Sequence, residues 1–356
     1  MSKRSAFVLI GALLAAVALA FAYVGGWLTP QRLGPARMIR AFEADNGQHP
    51  GFRRNHAKGL CVTGFFDSNG AGTQYSKAVV FATGRVPVVG RLALAGGQPF
   101  QADTSRAVRS LALRFSLPDG EEWRTGMNAI PVFPVNTPQA FYEQLLATRP
   151  DPATGRPDPA RMAQFLAAHP ESARALEVIG SQVSSSGFAN SRFNSLDAFR
   201  LVAAGGSVSA VRWAMVPDEP FAADDAADTG ARSPNYLFDA VMAELQHRPL
   251  QWHLMITLAQ PGDPTNDATV AWPVERPQVD VGTLTLEHAQ GEDTGACRNI
   301  NFDPLVLPAG IEPSDDPLLS ARSAAYARSF TLRAAERRRK PPSAITPQEV
   351  RAGGKT

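Results

Sequence analysis

Ser110-Leu111-Ala112-Leu113-Arg114-Phe115-Ser116-Leu117 alternates small or polar side chains with large apolar ones, then runs into Pro118-Asp119-Gly120. A period of two is the pattern of a β-strand with one face on a core, and Pro-Asp-Gly is turn chemistry that sends a chain back on itself. Similar short β-like runs occupy 60–66, 78–82, 87–94, 199–202, 207–215, 252–259 and 278–287, separated by Pro, Gly, Asp and Asn, as in Pro261-Gly262-Asp263-Pro264. Strands of this length at hairpin-like spacing predict a closed antiparallel barrel of about eight strands. Helical patterns interrupt it at 138–147, 158–169, 170–179, 236–248 and 318–339. The expected class is therefore α+β, a barrel with surrounding helices.

The N-terminus carries Lys3 and Arg4, and residues 6–28 then contain no charge. That is the length of a membrane-spanning helix and longer than the usual apolar core of a signal peptide. Ala18-Leu19-Ala20 and Ala20-Phe21-Ala22 have the small residues a signal peptidase needs, so cleavage is the rival to an uncleaved anchor. Arg32, Arg37 and Arg40 follow the apolar run, so flanking charge does not set the orientation. The expected organisation is a basic start at 1–5, an anchor at 6–28, an exported catalytic domain at 29–335 and a solvated tail at 336–356. The tail contains the basic run Arg337-Arg338-Arg339-Lys340.

Composition excludes several classes. A chain of 356 residues, 44% hydrophobic and 19% charged, has an ordinary globular balance, and a net charge of +2 gives no reason to expect nucleic acid. The only cysteines, Cys61 and Cys297, form no metal-binding spacing. They fit one disulfide in an exported chain or two separate buried thiols.

Arg322 stands four residues before Tyr326 within the last helical pattern, so the two share a face one turn apart. A guanidinium beside a phenol favours the phenolate, and a phenolate can ligate ferric haem. Arg333 lies seven residues after Tyr326, two turns on, and shares that face. His56 sits in Arg53-Arg54-Asn55-His56-Ala57-Lys58-Gly59, where flanking charge reads first as a solvated loop. Asn128 interrupts the apolar stretch Met127-Asn128-Ala129-Ile130-Pro131-Val132-Phe133, where turn capping is the ordinary role of an Asn. A His base and an Asn donor are also the two polar groups needed to handle a peroxide.

Seven segments in order resemble the catalase superfamily across residues 37–335. They are Arg53-x-x-His56-Ala57-Lys58-Gly59; Val108-Arg109-Ser110 to Phe115; Asn128-x-x-Pro131-Val132-Phe133 with Phe141; Asp267-Ala268-Thr269-x-x-Trp272-Pro273; Val281-Gly282-Thr283-Leu284-Thr285-Leu286; Phe302-Asp303-Pro304 with Gly310-Ile311-Glu312-Pro313-Ser314; and Arg322-x-x-x-Tyr326. The chain is shorter than a full catalase and so resembles the small catalase-related peroxidases. The resemblance implies haem b, with Tyr326 as the axial ligand and Arg322 keeping it a phenolate. It also implies His56 as the distal acid–base residue with Asn128 beside it, Phe141 near the haem face, and Arg53, Arg91 and Arg333 on the propionates. The implied partners are hydrogen peroxide and a small organic electron donor, with a monomer or dimer preferred over the catalase tetramer. No bound NADPH is expected.

Three departures bear on the chemistry. Ala93 stands where full catalases place a serine bonded to the distal histidine, so His56 is expected to be less fixed and the protein to favour peroxidase over catalase activity. Asn55 replaces an apolar channel residue, and Ala327-Arg328-Ser329 replaces Pro-Asp-Thr. Two other functions compete: conversion of lipid hydroperoxides without an external donor, and haem binding or sensing without turnover.

Overall fold

A computed structural model describes residues 3–24, 28, 33–104, 106–151, 153–224, 232–336 and 343–346. Among these residues, ten strands form one antiparallel sheet: β1 Gly59–Ser68, β2 Gly84–Leu94, β3 Arg109–Ser116, β4 Glu122–Asn128, β5 Phe193–Asn194, β6 Phe199–Val202, β7 Val208–Pro217, β8 Leu250–Leu258, β9 Gln278–Gln290 and β10 Ile311–Pro313. The order β7-β5-β4-β3-β2-β1-β9-β8 returns to β7 through the β7–β8 pairing, which closes a barrel of eight strands; β6 and β10 extend it from β7. Leu111, Leu113, Phe115, Trp123, Trp213 and Trp252 fill the core. Phe115 stacks on Trp123 at 4.7 Å between ring centroids, and Trp123 meets Trp213 edge-on at 5.1 Å. Period two sends the large side chains of β3 into this core and leaves small Ser110 and Ala112 on the other face, among the cavity-lining residues.

Among the described residues, seven α-helices accompany the barrel: α1 Lys3–Val24, α2 Pro35–Asn46, α3 Pro138–Thr148, α4 Pro159–Ala168, α5 Pro170–Ser181, α6 Tyr236–Glu244 and α7 Pro317–Glu336. Thr137 caps α3 by accepting from the Ala140 N–H (3.1 Å), and Asp158 caps α4 by accepting from the Ala160 N–H (2.9 Å). Within α1, Phe7–Val24 has a mean hydropathy of 2.6 and none of it is buried. It is long and apolar enough to cross a membrane, and an N-terminal signal has the same properties.

Residues 78–82, expected as a strand, contain a 3₁₀ turn at Val79–Phe81. Its backbone closes on itself, with Phe81 N–H donating to Ala78 O and Ala82 N–H to Val79 O. A run this short cannot distinguish a buried turn from a strand. Glu122–Asn128 was not expected, because Glu122 and Arg124 dilute the apolar signal of Trp123 and Met127. Helix α2 was likewise not expected beside the apolar N-terminus. Within the stretch expected as a solvated tail, Ile345 is fully buried against the main core and Ser343 Oγ accepts from the Glu292 N–H at 3.1 Å. The basic run at 337–340 lies outside the described residues.

Candidate active site

The outer face of β2–β4 and helices α2, α3 and α7 line an open cavity. His56, Asn128, Arg53, Arg91, Phe141, Arg322, Tyr326 and Arg333 all line it. Residues spread over 281 positions of sequence thus meet in one place, and the spacing argument for each holds locally.

On α7, Arg322 Cζ lies 6.0 Å from the Tyr326 ring centroid. Its Nη2 donates to Gly126 O at 3.1 Å, and its Nη1 forms an ion pair with the Asp197 carboxylate. Burial works against the charge on Arg322, but Asp197 and Tyr326 outweigh it and raise the guanidinium above its ordinary value. Asp316 caps α7, accepting from the Leu318 N–H at 2.9 Å. Burial, reinforced by the Asp197 carboxylate, pushes the Asp316 carboxyl up to about 7.

His56 occupies a left-handed backbone conformation (φ 53°), unusual for a residue with a Cβ. The neighbouring chain holds it there. Asn55 Oδ1 accepts from the N–H groups of His56 and Gly96, both at 2.9 Å, and Ala57 N–H donates to Gly96 O at 2.9 Å. Leu196, also lining the cavity, shares the left-handed conformation (φ 67°). The charged flanks of His56 are not solvated. Lys58 Nζ donates to Asp103 (2.6 Å), and Arg54 pairs with Glu43 (2.9 Å) and Glu336. The surface His56 retains faces the cavity. Burial first, then the charges of Arg91, Arg322 and Arg53, lower its imidazole to about 3, so the ring is neutral at ordinary pH.

The expectation that Ala93 leaves His56 without a hydroxyl partner is overturned. Ser110 Oγ lies 3.1 Å from His56 Nδ1 and donates to Asn128 Oδ1 at 2.5 Å. Ser110 stands directly opposite Ala93 in the β2–β3 register, so the adjacent strand supplies the hydroxyl. The serine was visible in the Val108-Arg109-Ser110 segment, but nothing local connects it to residue 56.

Arg91, Arg53 and Arg333 gather at a second part of the wall. Arg91 is buried and grips Glu292 through Nε (2.9 Å) and Nη2 (2.6 Å). Gly59 permits this, since a Cβ there would lie 2.3 Å from Arg91 Cζ. Arg53 Nε lies 3.5 Å from Glu292, and its Nη2 donates to Cys297 O (3.1 Å) and its Nη1 to Ile300 O (3.2 Å). Arg333 Nη1 donates to Arg298 O at 2.7 Å. Burial alone would favour a neutral Glu292, but Arg91, Arg53 and Arg333 outweigh it and lower its carboxyl. The carbonyls holding Arg53 and Arg333 belong to the turn at Ala296–Asn299 and the residue after it. A disulfide between Cys61 of β1 and Cys297 pins that turn, resolving the two readings of the cysteines. Phe141 packs between Phe42 (5.8 Å) and Phe133 (5.7 Å). Asp197 and Glu292 carry no sequence signal, since each acts through partners more than a hundred positions away; Asp316, directly before Pro317, stands where a helix cap is expected.

A phenol held against a guanidinium, a neutral imidazole with an amide, apolar walls and arginines at one side form a donor set that fits haem, whose faces are apolar and whose propionates are anionic. Comparisons with known proteins agree. The sequence profile of the Catalase family matches residues 44–347. The catalase-related peroxidase of Synechococcus elongatus is 39% identical over 299 residues, covering 84% of this chain and 88% of that protein. The catalase-related peroxidase of Mycolicibacterium paratuberculosis is 33% identical over 303 residues, covering 85% and 95%. In fold the chain is similar to catalase A from Saccharomyces cerevisiae, with a TM-score of 0.72 at 20% identity, covering 80% of this chain and 62% of that one. The barrel, the cavity and these matches together establish that the chain belongs to the catalase family.

Proposed function

We propose that this protein is a haem-dependent peroxidase that reduces hydrogen peroxide at the expense of a small organic donor, with haem b as its cofactor. The observation that carries this reading is the convergence of Arg322 with Tyr326, and of His56 with Asn128, on one cavity. Tyr326 would hold the iron, with Arg322 balancing the charge of its phenolate and Asp197 fixing Arg322 in place. Arg53, Arg91 and Arg333 would face the propionates, and Phe141 the apolar macrocycle. Haem held there would supply a redox-active iron able to exchange the two electrons that separate peroxide from water. Neutral His56 takes a proton from one peroxide oxygen and delivers it to the other, so that water leaves rather than hydroxide. Asn128 orients the peroxide by hydrogen bonding.

Two further observations support an exported, membrane-proximal location. The buried Cys61–Cys297 disulfide supports folding in an oxidising compartment, consistent with export behind α1 to a periplasm. Residues 25–34 connect α1 to α2, and α2 contributes Met38, Ile39 and Phe42 to the cavity wall. Fully extended, that link reaches about 35 Å, which keeps an anchored cavity near the membrane surface. The same tether favours lipid hydroperoxide conversion as the second reading.

The full-length protein, expressed with haem, tests this by its absorption spectrum and by peroxide loss with and without an organic donor. Donor-dependent loss that falls in His56→Ala supports the peroxidase reading. Turnover of lipid hydroperoxides without a donor supports the second reading. A haem spectrum with rates indifferent to His56→Ala identifies a binding module, and a protein that never acquires haem refutes all three.

A further inference from the structure

Ser110 is the central residue of three neighbouring strands. Ala93 of β2 lies opposite it on one side and Asn128 of β4 on the other. Its hydroxyl is buried, 3.1 Å from His56 Nδ1 and 2.5 Å from Asn128 Oδ1. A hydroxyl has one proton to give. With that proton on Asn128 Oδ1, the bond to His56 is made only if Nδ1 carries the hydrogen and donates to Ser110. Nε2 then holds the free lone pair. Turning the Asn128 amide over reverses every bond: Nδ2 donates to Ser110, Ser110 donates to Nδ1, and the proton of the imidazole moves to Nε2. The two arrangements exclude each other, so one hydroxyl ties the amide orientation to the histidine tautomer.

We propose that Ser110 is a positioning residue that couples Asn128 to His56, fixing the Nδ1–H tautomer so that Nε2 serves as the base while the Asn128 NH₂ remains available to donate. This rests on the reading of His56 and Asn128 given above. Backbone constraint supports it: the left-handed conformation of His56, and the bonds that Asn55 Oδ1 accepts from the His56 and Gly96 N–H groups, fix the main chain from which the ring reaches Ser110. The hydroxyl that full catalases carry on one strand is thus provided from the facing strand, where it also reaches the asparagine.

The test uses the full-length chain loaded with zinc protoporphyrin, a diamagnetic substitute, and labelled with ¹⁵N-histidine. The imidazole nitrogen shifts of His56 report the tautomer. Wild type is expected to hold Nδ1–H, Ser110→Ala to show a mixture, and Asn128→Asp, whose carboxylate can only accept, to keep Nδ1–H. In the haem-loaded protein, Ser110→Ala should slow the first reaction with peroxide roughly 10- to 100-fold, without changing the KM for the donor. Adding Ala93→Ser should restore both tautomer and rate, because opposed Cβ atoms on paired strands lie only about 4.5–5.5 Å apart. Ser110→Ala with the wild-type tautomer overturns the proposal, as does a rate loss that Ala93→Ser leaves uncorrected. A scrambled tautomer with unchanged turnover leaves the coupling standing and instead overturns the role of His56 as the base.

Discussion

Asp197 holds Arg322 in an ion pair, and Arg322 is the cation beside Tyr326. The pair lies at the wall of the cavity, where Arg322 would otherwise be a charge with too little water around it. Asp197→Asn keeps the shape and removes the compensation. Breaking a buried pair from one side costs about 3 kcal/mol. Chemical denaturation should show a loss of that size, and the haem spectrum of the variant should indicate weakened ligation by Tyr326.

Asp316 gives stability a distinctive slope with pH. Its carboxyl is raised to about 7 in the folded chain from the ordinary 3.8, so the folded state binds its proton more tightly than the unfolded state. That contribution is present below the unfolded value and is lost as pH rises towards 7. Asp316→Asn keeps an acceptor for the Leu318 N–H and removes the titration. The stability difference between variant and wild type, measured from pH 4 to pH 8, should therefore shift in favour of the variant across that window.

His56 predicts an acid limit well below the usual histidine range. With the imidazole lowered to about 3, acidification from pH 7 to pH 5 leaves it neutral and able to accept a proton. Stopped-flow rates of the first reaction with peroxide should be flat across that interval. An acid limb centred near pH 6.5 would show that the ring is better solvated than its surroundings indicate.

The Cys61–Cys297 disulfide closes a sequence separation of 236 and pins the turn whose carbonyls hold Arg53 and Arg333. Replacing both cysteines with serine should cost roughly 2–5 kcal/mol of stability. It should also accelerate haem transfer to an apoglobin scavenger several-fold, because the arginines lose their fixed acceptors. Transfer at the wild-type rate would limit the disulfide to a role in stability.

Gly59→Ala isolates the arginine cluster. Its new Cβ, 2.3 Å from Arg91 Cζ, displaces the guanidinium from Glu292. Overpacking of this kind costs about 1–3 kcal/mol. Haem affinity measured by titration should fall in Gly59→Ala, while a control such as Gly120→Ala on the exposed β3–β4 turn should change stability only.

The amino-acid sequence by itself determined whatever depends on periodicity and near neighbours. Alternation over 110–117 and its counterparts specified strands, because successive side chains on a strand must point to opposite faces. Four-residue spacing placed Arg322 beside Tyr326, and an uncharged apolar run marked an N-terminal helix. Family motifs then carried His56, Asn128 and the arginines as candidates. Tertiary structure alone decided how those pieces meet. Ser110 reaches His56 only because the register across β1, β2 and β3 brings it to the loop before β1. Glu292 lies among the arginines, Asp197 reaches Arg322 across 125 positions, and Cys61 finds Cys297, each through contacts that only the folded chain makes. Local pattern cannot encode such pairs, since a polar residue on a strand face looks the same in sequence whether water or a catalytic group lies opposite it.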